Sequence, residues 1–207
     1  MPATRNRCSD CSTNSTPRCA NIARAVAATR NRPNERPSHG GGGGAAVTEK
    51  SAAERIAELA AAGGATIAVA ESLTSGKIAS ALGAAPDAGQ WFRGGVVAYH
   101  PEVKRGVLHM PDVPVVSRPA AEALAANVRT LFDATLSVAV TGVGGPDASD
   151  GEPPGTVWLA TASATAVTAE RARFDGDPEA VLDQTVRFAL DCLLDRLTAS
   201  SVAAEHG

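Results

Sequence analysis

The chain has 207 residues, room for one ordinary domain and a tail, and no apolar run in it approaches the roughly 18 residues of a membrane span. Aromatic residues make up only 3%, so a core has to be assembled from Ala, Val, Leu and Ile. The net charge of −3 is unevenly spread: residues 1–44 hold seven Arg against Asp10 and Glu35, leaving the remainder at −8, which argues against a nucleic-acid partner.

Residues 1–45 read as a disordered tail, rich in Arg, Asn, Ser, Thr and Pro and closing on Gly40 to Gly44. The tail lacks the apolar stretch of a secretory signal. Its acid-poor, Arg- and Ser-rich composition is also that of an organelle transit peptide, and in a high-GC gene Val26 or Val47 would serve as an alternative start. Cys8-x-x-Cys11, with Cys19 close by, invites a zinc or redox reading, but no second such pair follows and His39 stands alone in the Gly-rich run. No metal site is therefore expected. Nothing in the cysteine count asks for an oxidising compartment, and a cytoplasmic setting is expected.

The ordered domain is placed at 46–200, with a flexible end at 201–207. Ser51-x-x-Glu54 fits a capping box, and Ile56, Leu59 and Ala60 form the apolar stripe of a helix ending at Gly63-Gly64. A buried strand follows from Thr66 to Glu71, then a helix from Gly76 to Leu82, stopped at Gly83. Phe92 to Tyr99 reads as a second strand, interrupted by Gly94-Gly95, and a short helix follows over Glu102 to Leu108. Ser117-Arg118-Pro119 opens a long amphipathic helix buried through Ala121, Leu124, Ala125, Val128 and Leu131. Strands are predicted from Leu136 to Thr141, Thr156 to Ala162 and Val167 to Phe174. The last helix takes Asp177 as its cap and Pro178 as its first residue, and runs to about Leu197. This alternation predicts an α/β fold, a three-layer α/β/α sandwich. Its mixed, mainly parallel five-stranded sheet has the short fourth-to-fifth connection as an antiparallel hairpin.

Three polar segments end predicted strands: Glu71 to Gly76, Tyr99 to Lys104 and Thr141 to Pro146. The C-terminal ends of parallel neighbours share one sheet edge, so these segments can meet in a single cleft. Together they would supply a hydroxyl (Ser72), a carboxylate (Glu71), a phenol (Tyr99), an amine (Lys104) and a Gly-rich backbone cradle. Ser72 or Thr74 can equally well cap the helix they precede, which is the commoner task of such residues. As a nucleophile, Ser72 needs a base, and a desolvated lysine can be one because burial lowers its pKa. The plain alternatives are that Lys104 is a solvated helix residue and Tyr99 a strand-end residue with its hydroxyl in water.

Ordered together, these motifs resemble the C-terminal domain family of the competence/damage-inducible protein CinA, over about residues 48–197. Its pattern A-E-S-C-T-G-G is similar to Ala70–Gly76, and F-x-G-G-V-V-A-Y-x-x-x-x-K to Phe92–Lys104. V-T-G-I-A-G-P followed by P-x-G-T-V-W resembles Val140–Pro146 and Pro153–Trp158, and F-x-G-D-R-x-x-[VI] resembles Phe174–Val181. The resemblance implies a three-layer sandwich and hydrolysis of the carboxamide of nicotinamide mononucleotide to nicotinate mononucleotide and ammonia, without a metal or other cofactor. On matching positions Ser72 would attack the amide carbon, Lys104 would act as base and Tyr99 would help move the proton. Glu71, Thr74, Gly76, Thr141, Gly142 and Gly145 would surround the ligand, and a phosphate would rest on helix N-terminal or loop N–H groups. Full-length members carry a further N-terminal domain, so a stand-alone form is expected here, with a small-molecule nucleotide as ligand and self-association into a homo-oligomer.

The chain departs from the family pattern at several places. Leu73 replaces a Cys, which reads as packing, and Ser75 replaces a Gly at a tight turn. Lys77 stands where an apolar residue is common, and His100-Pro101 replaces Ser-Asn. Pro178 stands where the motif has Arg. These departures keep two other readings open: a nucleotide-binding or regulatory module without turnover, and a serine amidase acting on another carboxamide.

Overall fold

The computed structural model describes residues 50–205. The tail reading and the Cys8, Cys11 and Cys19 motif lie outside the described residues. Helix α1 (Ala52–Gly63) starts as its sequence prescribes: Ser51 Oγ accepts from the Glu54 N–H, and the Glu54 carboxylate accepts from the Ser51 N–H. Strand β1 (Ile67–Glu71) follows and is buried along its whole length. Helix α2 (Lys77–Gly83) leads to a single-turn helix α3 (Ala88–Trp91) that the sequence pattern does not announce. There the buried Trp91 donates its indole N–H to the Pro86 carbonyl at 3.0 Å, filling space beneath α1.

Strand β2 (Phe92–Val97) stops two residues short of the expected Tyr99. Gly94-Gly95 does not interrupt it. The irregularity falls one residue earlier, where Arg93 bulges out between the pairings Ile67↔Phe92 and Ala68↔Gly94. Gly95 is required where it stands, because a Cβ there would lie 2.4 Å from Val69 Cγ2 on β1. Helix α4 (Pro101–Leu108) and helix α5 (Arg118–Leu131) come next. Ala120, Ala121, Leu124, Ala125 and Val128 form the buried face of α5, but Leu131, expected there, is 54% exposed, because the helix ends just after it and the chain turns away at Asp133.

Strands β3 (Leu136–Gly142), β4 (Thr156–Ala162) and β5 (Val167–Arg173) complete a sheet of order β2-β1-β3-β4-β5. β1 pairs in parallel with β2 and β3, whereas β4 is antiparallel to both β3 and β5. Four strands therefore run one way and β4 alone opposes them. Helix α6 (Pro178–Glu205) closes the chain, its first turn capped by the Asp177 carboxylate, and continues well past the expected end at Leu197. α1, α2 and α6 cover one face of the sheet through Ile56, Ile78, Phe188 and Leu193. α5, with α4 against it, covers the other through an Ala-rich layer. The small Ala side chains let α5 sit close on the sheet, and because β2, β1 and β3 are parallel their C-terminal ends share one edge.

Candidate active site

That edge is a cleft of about 600 Å³. Its floor is the turn after β1. Glu71 is only 2% exposed, and its carboxylate accepts three backbone N–H groups: Gly76 at 2.9 Å and Ile78 at 3.1 Å on Oε2, and Ala79 at 2.7 Å on Oε1. The formal cap of α2 is Gly76 at φ +96°, with no side-chain bond of its own. Neither Ser72 nor Thr74 caps the helix; Glu71 does so from the strand side. The hydroxyl of Ser72 is thereby released. Ser72 is 8% exposed and lines the cleft, while its carbonyl accepts the Ser75 N–H at 3.2 Å to close the turn. Ser75, at φ +50°, lies in the left-handed region that a glycine occupies with less strain. Leu73 faces both cleft and core, in keeping with a packing role.

Lys104 lies on the inner face of α4 and is 1% exposed, so the solvated alternative does not hold for it. Its Nζ donates to the Tyr99 carbonyl at 2.7 Å. Burial pulls its pKa below the usual lysine value, and the negative charge of Asp150 pushes partly back. Tyr99 itself is 72% exposed at the mouth of the cleft, its ring against solvent.

The opposite wall is the loop from β3 to β4. Gly142 is dictated by close strand approach, since a Cβ there would stand 2.6 Å from the Thr156 carbonyl. The neck of the loop is tied by Val143 N–H to Thr156 O and Gly155 N–H to Val143 O, each 2.8 Å. Beyond it come Gly144, Gly145 and a cis Gly145–Pro146 peptide, followed by Asp147. The tip folds back through Ser149 and Glu152, and Asp150 Oδ2 accepts the Val116 N–H at 3.1 Å. Thr141, fully buried, donates its hydroxyl to the Val115 carbonyl at 2.8 Å and so pins the same 115–116 segment from below.

Of the residues singled out in the sequence, Ser72, Tyr99, Lys104, Gly142 and Gly145 line the cleft together. Glu71, Thr74, Gly76 and Thr141 lie behind its surface. Thr74 Oγ1 is buried without a hydrogen-bond partner among the described residues, whereas Glu71 and Thr141 spend their polar groups on the framework. Pro178 and Leu182 at the start of α6 supply a further wall, as do Val115 and Val116. Sequence reasoning missed Val115, Val116, Leu182 and the part played by Asp150. Only the polar Gly142–Gly155 loop hinted at the last, without a spacing that aims it at Lys104. Among the described residues no group of His, Cys, Asp and Glu is arranged to hold a metal ion, and no helix is long and apolar enough to cross a membrane.

The family model described as the CinA C-terminal domain matches residues 49–197. The nicotinamide-nucleotide amidohydrolase PncC of Pseudomonas putida is 43% identical over 136 residues, 63% of this chain and 85% of that protein. A competence-damage inducible protein of Desulforamulus reducens is 42% identical over 132 residues, 61% of this chain but 32% of its own length. The chain thus spans about a third of that longer relative. A CinA-superfamily crystal structure from Klebsiella pneumoniae superposes with a TM-score of 0.69 at 36% identity, covering 72% of this chain and 96% of that one. One from Escherichia coli gives 0.67 at 35% identity, covering 69% and 87%.

The Glu71 clamp generates a direct expectation. Glu71→Gln keeps the shape but sets an amide NH2 against backbone N–H donors and removes the charge. Stability in a urea titration should fall by about 1.5–3 kcal/mol. A loss within a few tenths of wild type would show that the three bonds contribute little.

Proposed function

We propose, from the premise that the chain belongs to the CinA C-terminal domain family, that it is an amidohydrolase releasing ammonia from the carboxamide of nicotinamide mononucleotide. One observation carries the reading: a lysine 1% exposed opens on the same cleft as a serine hydroxyl freed from capping duty. A buried lysine with no catalytic task is an expensive residue on the inner face of a short helix, where an apolar side chain is usual. The similarity to the Pseudomonas putida amidohydrolase supports the same choice of reaction.

In this reading Ser72 Oγ attacks the carboxamide carbon as its proton passes to neutral Lys104 Nζ. The charge that develops on the carboxamide oxygen is met by the N–H of Leu73, a residue that lines the cleft beside Ser72. Lys104 then protonates the leaving nitrogen, the C–N bond breaks, and ammonia departs from a serine ester. Water, deprotonated by the same amine, hydrolyses the ester and restores the hydroxyl. The Tyr99 carbonyl fixes Nζ at 2.7 Å, and its phenol at the mouth relays protons to solvent. Asp150 steadies Lys104 electrostatically while holding Val116.

Ammonia released from nicotinamide mononucleotide by the full chain should disappear in Ser72→Ala, falling by at least about a thousandfold. Activity persisting in that variant removes Ser72 from the chemistry, and folded protein that binds the nucleotide without releasing ammonia favours a binding module instead. The pH profile tests the base. The acid limb of kcat/KM reports loss of neutral Lys104, and Asp150 favours the charged form. Asp150→Asn, which still accepts the Val116 N–H, should therefore move that limb to lower pH. A limb displaced to higher pH, or unmoved, contradicts Lys104 as the base.

A further inference from the structure

The cleft is poorly furnished for an anion. Three helices start at its edge, through Ser75, Pro101 and Pro178, and at each start one or more N–H groups are already taken by a side chain of this chain. At α2 the N–H groups of Gly76, Ile78 and Ala79 are held by Glu71. At α4 Pro101 has no N–H, and His100 Nδ1 takes that of Glu102 at 3.3 Å. At α6 Pro178 has no N–H, and Asp177 Oδ1 takes that of Ala180 at 2.8 Å. Two of these three closing groups are carboxylates, which oppose a second negative charge.

The charged side chains point the same way. Among the described residues that line the cleft, Lys104 is the sole Lys or Arg, and it is buried and bonded to the Tyr99 carbonyl. Asp147 and Asp150 stand on the facing loop. Two cations close in sequence to lining residues, Lys77 and Arg105, are paired with Asp183 at 2.9 Å and Asp112 at 3.0 Å. Against this, Tyr99 offers an exposed aromatic face at the mouth, the surface that a flat organic cation prefers.

We infer that the cleft recognises the cationic ring of an N-ribosylated pyridine carboxamide and not its phosphate, so that the pyridinium nucleoside lacking phosphate is as good a substrate as the nucleotide. This inference rests on the amidase reading above and names its substrate class. The carboxylates of Asp147 and Asp150 and the Tyr99 ring attract the pyridinium. For the phosphate, the described residues that line the cleft offer no guanidinium. A charge-assisted, bidentate phosphate contact corresponds to about thirtyfold in affinity, a discrimination that the described lining has no Arg to supply.

The test compares kcat/KM for ammonia release from nicotinamide mononucleotide and nicotinamide riboside by the full chain. The expected ratio is within about threefold of one, and a preference for the mononucleotide above about thirtyfold overturns the inference. Calorimetric binding of the same two ligands to Ser72→Ala keeps the comparison readable without turnover. Similar affinities with no ammonia from the wild type would sink the amidase reading alone, whereas a strong nucleotide preference, or no binding of either ligand, sinks the inference. The ring is tested by inhibition: 1-methylnicotinamide, a fixed cation, should bind more tightly than neutral nicotinamide, and the reverse order contradicts the role given to Asp147 and Asp150.

Discussion

Three backbone N–H groups converging on one buried carboxylate hold this site together. Glu71 ends a strand that is buried along its whole length, and its two oxygens take the amides of Gly76, Ile78 and Ala79 across the turn. A helix start normally consumes a nearby Ser, Thr, Asp or Asn side chain. Here the cap comes from five to eight residues upstream, and the intervening Ser72 to Ser75 loop is pulled tight with its hydroxyls uncommitted to the helix. The same bonds fill the N-terminus of α2, so one carboxylate both frees a serine and closes an anion site.

The remaining walls are fixed by a few close approaches. Gly142 lets β3 lie against the Thr156 carbonyl, which aims the following loop over the cleft. Thr141 and Asp150 grip the 115–116 segment from below and from the loop tip. Asp150 then sits where its charge is felt at Lys104, partly offsetting the effect of burial. Geometry and electrostatics are coupled here: the residue that anchors the loop also tunes the amine. The exposed ion pairs around the rim, such as Lys77–Asp183, contribute little to stability by comparison, since solvent screens them.

Much of the fold was legible because its signals are local. Ser51, Ser117 and Asp177 mark helix starts, and Pro119 and Pro178 sit in the first turn where no N–H is needed. Four of the five strands show as apolar runs or Gly-flanked segments, and β5 shows as an alternating one. The single turn of α3 was missed because four residues carry no periodicity, and Leu131 was misplaced because an apolar pattern does not tell where a helix outruns the sheet. Ser72, Lys104 and the Gly142–Gly145 loop could be gathered from the rule that parallel strand ends share an edge. The employment of Glu71 was not legible: its N–H donors stand at no regular capping distance, so it read as one more polar group for a ligand. Asp150 reaches Lys104 only through a loop reversal, and no spacing encodes that.

The central claim is that a serine released from capping by Glu71 forms an ester with the substrate. The most direct measurement is rapid acid quenching of the protein with nicotinamide mononucleotide, followed by mass spectrometry of its peptides. The account predicts a transient adduct on the peptide containing Ser72, with the mass of the nucleotide less ammonia. Ammonia release with no adduct on that peptide at any quench time, or an adduct on another residue, would contradict it.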